Sequence, residues 1–433
     1  MIRCYPNAVG LPMPIPSVKS LLLVACQHAE EAANLGNMRL RLAKAPHVKL
    51  QHLRRLDDRL AGHLDGLAIA GEFGWKLCDA SLDNPGVGEI FAACARAIEG
   101  RDMPRLDKLL AMADSVPELQ RGLTAAFGWV SAQFLTGTIQ ALLVSESRYQ
   151  RQVGIAACNM HRVDPGNALV AALEDADRLL RARGLRVAGE SGRRNLLSAC
   201  ACALSDPEAV CRFWSARSAV LLGERDQAVD MLEDMALHKG PHQLDSLQLV
   251  LRLFKPVQSR ALLQVLAQDR PAIRTMIQGI GAAGDPYYVP WLIRQMLEEK
   301  LARLAGESFS LITGIDLADL DLDRKPPNTM EAGPSDDPND IQVEMDDDEG
   351  LPWPDPLGIQ RWWELNSQRF TPGVCYFMGE PVNARNCKVV LRHGYQRQRS
   401  AAADYLSLLE PGIRLFPTCA PAWRQERWLN KTA

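Results

Sequence analysis

The feature that most constrains this chain is a local pattern of small and apolar residues that returns at nearly constant spacing. The pattern is anchored on Gly122 of GLTAAFGW and recurs at Gly154, Gly184, Ala216, Leu247, Ile277 and Glu307. Successive anchors are 30 to 32 residues apart. Three and four residues after each anchor the side chains are mostly small or apolar, which places them on the anchor's face of a helix. Such a unit cannot bury its apolar face alone, so neighbouring units must stack.

Each unit reads as two helices, for example residues 167–174 followed by residues 179–189, joined by a loop that carries Asp or Pro. Residues of these types end one helix and cap the next. An Arg lies three or four residues before five of the seven anchors, at Arg151, Arg181, Arg212, Arg274 and Arg303. We expect these side chains to pair with loop Asp residues of neighbouring units. A row of anion-binding Arg is the less favoured alternative, because structural ion pairs are the common case.

The pattern stops after Gly314, where a strongly acidic stretch begins. Residues 316–349 contain 13 acidic residues against Arg324 and Lys325, a net charge of −11. Since the whole chain has a formal net charge of −3, all other residues together carry +8. The composition favours a flexible acidic linker over an insertion that shields a basic surface. The segment DDPNDIQVEMDD lacks the glycine at the sixth position of a calcium-binding EF-hand loop, which excludes that site.

Beyond the acidic stretch the chain becomes rich in tryptophan. Five of the nine Trp fall in residues 351–433, where residues 358–370 predict a helix, 373–382 a short strand or hairpin arm, and 387–412 a further helix pair. Because Trp is usually buried, a small aromatic core is favoured over base stacking or peptide binding. The candidate contacts to a partner in this region are Trp362, Trp363, Arg397, Arg399, Trp423 and Trp428.

No pattern in the sequence predicts a catalytic residue, a cofactor or a metal site. The eleven Cys include no Cys-x-x-Cys pair and are interpreted as buried, reduced thiols in a cytoplasmic protein. His238 and His242 flank a Gly-Pro that breaks a helix, and His28 and His63 stand beside carboxylates on helices. The sequence GIGAAG at 279–284 matches the G-x-G-x-x-G motif of dinucleotide-binding proteins. It follows a predicted helix rather than a strand, so it does not predict a dinucleotide site.

Composition and termini also bear on partners. The apolar run at 21–25 is too short to span a membrane and follows Pro-rich sequence rather than a signal peptide's charged start. The chain as a whole is not basic, which disfavours a nucleic-acid partner. We therefore expect a cytoplasmic protein with a protein partner, and no membrane association.

Eight segments of the chain are distinctive in their combination of residues. They are QHAEEAANL (27–35), LQHLRRLDDRLAGHLDGLAIAGEFGW (50–75), MHRVDPGNAL (160–169), FWSARSAVLLG (213–223), DPYYVPWLI (285–293), ARLAGESFSLITG (302–314), LPWPDP (351–356) and GYQRQRSAAA (394–403). Together they resemble a family of uncharacterised proteobacterial HEAT-repeat-like proteins that are often encoded in type VI secretion clusters.

The repeats and the resemblance predict a mainly all-α fold: a HEAT-like α-solenoid of about 30-residue helix pairs, with an acidic loop insertion and a small mixed C-terminal cap. The expected organisation is an N-terminal segment with the first helix at 1–40, the solenoid at 41–315, the acidic linker at 316–350 and the Trp-rich region at 351–433.

The resemblance implies a non-catalytic scaffold or adaptor that serves type VI secretion by loading an effector, a spike protein or a PAAR-like tip protein. The alternatives are a HEAT-like DNA-acting enzyme and an immunity protein against a neighbouring toxin.

Overall fold

The computed structural model of the protein describes residues 18–327 and 346–431. In these residues the chain forms 22 α-helices and four short strands, which confirms the mainly all-α prediction. The helices are α1 (Val18–Leu42), α2 (Leu50–Ile69), α3 (Gly71–Ser81), α4 (Val87–Glu99), α5 (Met103–Ser115), α6 (Gln120–Trp129), α7 (Thr138–Leu143), α8 (Arg148–Met160), α9 (Asn167–Leu173), α10 (Arg178–Glu190), α11 (Leu197–Cys202), α12 (Ala209–Leu222), α13 (Gln227–Leu237), α14 (Gln243–Leu253), α15 (Pro256–Leu266), α16 (Ile273–Ala283), α17 (Val289–Gln295), α18 (Glu299–Thr313), α19 (Pro356–Asn366), α20 (Ala384–His393), α21 (Gln396–Leu409) and α22 (Ala422–Lys431).

The strands form two separate antiparallel pairs. β1 (Asp323–Arg324) pairs with β2 (Trp353–Pro354), and β3 (Tyr376–Phe377) pairs with β4 (Glu380–Pro381). The second pair is a hairpin within residues 373–382, where the sequence predicts a short strand or hairpin arm, and its two-residue turn is Met378-Gly379. Both turn residues have a positive φ, as the favoured hairpin turn requires.

The chain divides into two compact units, one formed by Met1–Arg39 with Arg55–Val130 and the other by Leu40–Arg54 with Ser131–Ala433. In the first unit α4 packs against α3, α5 and α6. A buried ion pair joins α1 to α2 in the same unit, where Arg39 Nε donates to the Asp57 carboxylate at 2.6 Å. The Arg39 guanidinium also lies 5.6 Å from the centre of the Trp129 ring.

All seven sequence anchors lie in every second helix, from α6 to α18. In the second unit α8, α10, α12, α14, α16 and α18 each pack against the next, and we call these six helices the anchor row. Each odd-numbered helix from α7 to α17 packs against the even-numbered helix that follows it, so the predicted helix pairs are confirmed. The anchors are buried except Glu307, which is partly exposed and pairs with Arg397 at 2.8 Å.

Two helix contacts in the anchor row have the same form although they lie about ninety residues apart. Ser218 Oγ of α12 donates to the Leu185 carbonyl of α10 at 2.7 Å. Ser308 Oγ of α18 donates to the Ile277 carbonyl of α16 at 2.8 Å. Both hydroxyls are buried, so each bond satisfies a polar group that would otherwise be costly to bury.

Glycines permit the close approach at these two contacts. A Cβ atom added at Gly189 would lie 2.6 Å from Ser218 Cα, and one added at Gly281 would lie 3.1 Å from Ser308 Cα. Contacts of this length leave no room for a methyl group unless the helices move apart. The small residues of the repeat therefore set the distance between successive helices.

Two of the five Arg residues before the anchors, Arg151 and Arg181, make the expected pairs with loop Asp residues. Arg151 donates to Asp175 at 2.9 Å, and Arg181 donates to Asp206 at 2.9 and 3.0 Å, in each case a carboxylate in the loop of the next unit. Both side chains also donate to two backbone carbonyls of the loop before their own helix. Arg212 makes the same two backbone contacts. In Arg151 and Arg181 the guanidinium group thus binds both the loop before its own helix and the loop of the next unit.

At the last two units the partner carboxylates come from the end of the acidic stretch. Arg303 donates to both oxygens of Asp346 at 2.6 Å, and Arg274 donates to Asp348 at 2.7 and 3.1 Å. Asp346 accepts the backbone N–H of Asp348, the turn that loop Asp residues form in earlier units. Residues 346–350 of the predicted flexible linker are thus held against the anchor row, and 328–345 lie outside the described residues.

The C-terminal residues return along the C-terminal ends of the anchor-row helices. Backbone N–H groups join Tyr376 to Gly284 (2.7 Å), Met378 to Leu311 (2.7 Å), Gly412 to Leu221 (2.9 Å) and Leu415 to Glu190 (2.9 Å). Between these points Asp404 of α21 accepts from Arg217 at 2.8 Å and from Arg252 at 2.9 Å. The predicted helix at 358–370 and helix pair at 387–412 are confirmed as α19 and α20–α21, whereas α22 was not predicted.

We expect Gly189→Ala to lower the free energy of unfolding by about 1–3 kcal/mol, because the methyl group would overlap with Ser218 in a packed interface. Gly62→Ala in α2 is the control, since an added Cβ there meets nothing within 4 Å. Removing a helical glycine at that open site should raise stability by up to about 1 kcal/mol. Urea unfolding followed by circular dichroism measures both variants, and a stabilised Gly189→Ala would contradict the close approach.

The Arg–Asp pairs should make stability fall in acid. Hydrogen bonds from Arg181 lower the pKa of Asp206, and those from Arg303 lower the pKa of Asp346. A carboxylate whose folded pKa lies below its unfolded value stabilises the fold above roughly pH 4, and this stability is lost as pH falls through the folded value. We expect the Asp206→Asn variant to have a lower free energy of unfolding than wild type at neutral pH. On acidification its free energy of unfolding should fall by less than that of wild type.

Urea midpoints measured from about pH 7 down to about pH 3 test this, because that range spans the unfolded pKa of Asp. Asp230→Asn is the matched control, since Asp230 is exposed on α13 and has no ion pair within 18–327 and 346–431. A variant of Asp206 that loses stability in acid as steeply as wild type would show that the pair does not hold the units.

Candidate functional site

The paired tryptophans of α19 are partly buried. The Trp362 ring meets the Phe309 ring edge-on at 5.7 Å between centres, and the Trp363 ring lies 5.2 Å from that of Phe370. Both pack against the hydrophobic core of the second unit. These ring contacts are of the kind that an aromatic core makes, and both side chains remain partly exposed.

Arg399 of α21 is fully buried and internally bonded. Its guanidinium donates to the Leu391 carbonyl at 2.7 Å, to Gln425 Oε1 at 2.5 Å and to Gln396 Oε1. All three acceptors are neutral, and burial lowers the pKa of Arg399 to about 10. The side chain therefore joins α20, α21 and α22 rather than facing a partner.

The remaining two candidates outside the cavity described below are both partly exposed. Arg397 is engaged by Glu307 of the anchor row at 2.8 Å. Trp423 is partly exposed at the start of α22, and the guanidinium groups of Arg424 and Arg427 lie 4.8 and 5.3 Å from the centre of its ring. Trp423 is thus an accessible aromatic side chain with cations on its faces.

Trp428 lines a cavity of about 210 Å³, which we call the C-terminal cavity. Its walls come from α20, α21, α22 and the loop that follows α8. The apolar part of the wall includes Leu391, Leu406, Leu409, Ile413, Phe416 and Trp428. Four cationic side chains, Arg162, Lys388, Arg392 and Arg414, line the cavity together with one carboxylate, that of Glu410.

Arg162 is the most tightly positioned of these cations. Its guanidinium lies 4.9 Å from the centre of the Trp428 ring and 5.9 Å from that of Phe416, and its carbonyl accepts from Arg414. Its φ of +59° is left-handed, which costs energy for a residue with a side chain. Burial and the positive charge of Arg414 lower the pKa of Arg162.

Two polar atoms of the cavity lining are buried without a hydrogen-bond partner among the residues that the structure describes. They are Arg162 Nε and Ser407 Oγ. Ser407 is fully buried in α21, and Arg162 lies in the loop after α8. A buried polar group without a partner is uncommon in folded proteins and points to an occupant such as a ligand or water.

A second polar cluster lies in the first unit. His28 Nδ1 of α1 and His63 Nδ1 of α2 are 3.2 Å apart, and burial together with the His28 charge lowers the pKa of His63. Gly66 leaves space for the His28 ring, because a Cβ there would lie 2.4 Å from it. Across the described residues, no group of three or more His, Cys, Asp or Glu is placed to hold a metal ion.

The thiols are mostly buried, as expected from their apolar neighbours. Burial raises the pKa of Cys78, Cys158 and Cys387 to about 11, which keeps these groups protonated. The prediction is wrong for Cys202 and Cys419, which are exposed.

Among the described helices, none combines the length and the apolarity needed to cross a membrane.

No protein-family model, curated protein or solved structure matches the chain. The HEAT-like family and its link to type VI secretion therefore stay predictions from the sequence.

Sequence reasoning selected Trp428 but missed the four cations of the C-terminal cavity. The one available signal was the positive charge of the C-terminal region, where residues 350–433 carry a net charge of +5. That signal does not select Lys388, Arg392 or Arg414 from eleven cations, and it cannot include Arg162, which lies far earlier in the chain.

We expect Arg399→Met to lower the free energy of unfolding by about 2–4 kcal/mol, because it leaves buried acceptors without a donor. Arg361→Met, an exposed position on α19, is the control and should change stability by less than about 0.5 kcal/mol. Thermal and urea unfolding measure both. An Arg399→Met variant as stable as wild type would show that the buried guanidinium is not needed to hold the three C-terminal helices together.

Proposed function

We propose that this protein is a HEAT-like α-solenoid that acts as a non-catalytic scaffold for a protein partner. The observation that carries the proposal is the anchor row, in which each helix packs against the next. Within it the Arg–Asp contact and the Ser–carbonyl contact each occur at two places. Stacks of this kind present long surfaces built from the same element of every unit, and such surfaces suit extended protein partners.

The exposed part of α22 is the favoured contact point. Trp423 combines a partly exposed ring with Arg427 stacked on it, and Trp and Arg are the residues most enriched at energetic centres of interfaces. The other tryptophans selected from the sequence are packed in the core or line the C-terminal cavity. All four rings are partly exposed, and Trp423 is the one that we propose a partner covers, because its neighbours on the ring are arginines.

The partner we propose is a component of type VI secretion: an effector, a spike protein or a PAAR-like tip protein held before loading. This part of the proposal is supported by the sequence resemblance. An adaptor of this kind needs a stable surface and no reaction chemistry.

Affinity purification of the cross-linked full-length chain from its native host tests the proposal. We expect wild type and the control Arg361→Ala to recover a spike, tip or effector protein. Trp423→Ala should weaken binding of that protein at least about tenfold, because truncating a central aromatic commonly costs 2 kcal/mol or more.

Recovery of no secretion component from the host would overturn the adaptor role. Recovery of a toxin encoded beside the gene, with self-killing on deletion, would favour the immunity alternative instead. If the Trp423→Ala variant binds the partner as tightly as wild type, the partner does not contact the protein at Trp423 of α22.

A further inference from the structure

The C-terminal cavity holds more positive charge than its own lining can balance. Four cations face one carboxylate, and within the part of the chain that the structure describes none of the four forms an ion pair. Other arginines of the second unit do have a carboxylate partner, as Arg217 and Arg252 have in Asp404. Cations gathered in a partly buried space without counter-charge repel one another, and an anion would relieve that repulsion.

We propose that the C-terminal cavity binds the phosphate group of a small organic molecule. The proposal stands apart from the scaffold function, because it uses the cavity and not the exposed surface of α22. Three of the four cations are arginines, whose planar guanidinium groups match the oxygens of a phosphate in paired hydrogen bonds. A doubly charged phosphate also fits a site with several cations better than a single carboxylate does.

Contacts within the protein hold the arginine side chains of the cavity in position. The rings of Trp428 and Phe416 hold the Arg162 guanidinium, and Arg414 donates to the Arg162 carbonyl, so both cations are fixed by contacts that do not use up their charge. Arg392 is fixed similarly, because it donates to the Leu429 carbonyl at 2.8 Å. Fixed donors lose little conformational entropy when a ligand binds.

The two buried polar atoms without a partner mark where oxygens of the ligand would accept hydrogen bonds. Arg162 Nε is a donor, and the Ser407 hydroxyl can donate as well as accept. A phosphate ester offers several acceptor oxygens, enough to satisfy both atoms at once.

The apolar wall indicates what the phosphate carries. Leu406, Leu409 and Ile413 line the same space as the cations, so the part of the ligand beyond the phosphate meets hydrocarbon. Free phosphate would leave this wall uncovered, whereas a phosphate monoester with an apolar or aryl group would cover it. The ligand class is therefore a small organic phosphate, and phenyl phosphate is a suitable probe.

Isothermal titration calorimetry of the full-length chain at low salt tests the proposal with phenyl phosphate, inorganic phosphate, benzoate and phenol. We expect phenyl phosphate to bind more tightly than inorganic phosphate or benzoate, and phenol to give no measurable binding. Arg162→Gln and Arg414→Gln should each weaken phenyl phosphate binding about 10- to 100-fold, since each removes a charge-assisted donor. Arg361→Gln, outside the cavity, should leave it unchanged.

Lys388→Gln and Ser407→Ala keep the test decisive if the arginine variants misfold. Lys388 is exposed and Ser407→Ala removes one atom, so both should fold, as circular dichroism would verify, and both should bind phenyl phosphate more weakly. No binding of either phosphate to the wild type would overturn the proposal. So would phenyl phosphate binding that all four cavity variants retain, and equal affinity for inorganic phosphate would overturn the organic part of it.

Discussion

An arginine that binds two loops at once is the contact on which the anchor row depends. In α8 and α10 the guanidinium closes its own loop through two carbonyls and reaches the carboxylate of the next loop. Exposed or half-exposed ion pairs contribute at most about 1 kcal/mol each, so apolar burial supplies most of the stability. The pairs instead fix which face of each helix pair meets its neighbour, a choice that apolar contacts alone leave open.

The same interaction explains how the row ends. After α18 the chain enters the acidic stretch, and Asp346 of that stretch supplies the carboxylate for Arg303. Asp348 of the same stretch pairs with Arg274 of α16. β1 and β2 pair the beginning of the acidic stretch with the segment just after it, which returns the chain to the row. A stack of repeats needs an end that does not invite another unit, and here acidic residues occupy the last guanidinium groups.

Much of the helical order could be predicted because it is local. The spacing of small residues placed all seven anchors on alternate helices, and the composition of residues 373–382 predicted a short strand or hairpin arm where β3 and β4 lie. The remaining features depend on contacts between distant residues, such as Arg162 with Trp428, which no local period encodes. Arg397 and Arg399 stand two residues apart in the same polar sequence, yet one is partly exposed and the other fully buried. Their difference arises from the packing of α20 and α22 around α21.

The positive charge of the C-terminal cavity depends on which carboxylates of the C-terminal region form ion pairs elsewhere. Among the carboxylates of residues 350–433, Asp404 is taken by two arginines of the anchor row and Glu426 pairs with Arg54. Asp355 accepts the backbone N–H of Leu357 at the start of α19. Glu410 is the carboxylate in the lining of the C-terminal cavity. The ion pairs of α21 and α22 thus use two of the six carboxylates of residues 350–433, Asp404 and Glu426, and direct them away from the cations of the cavity.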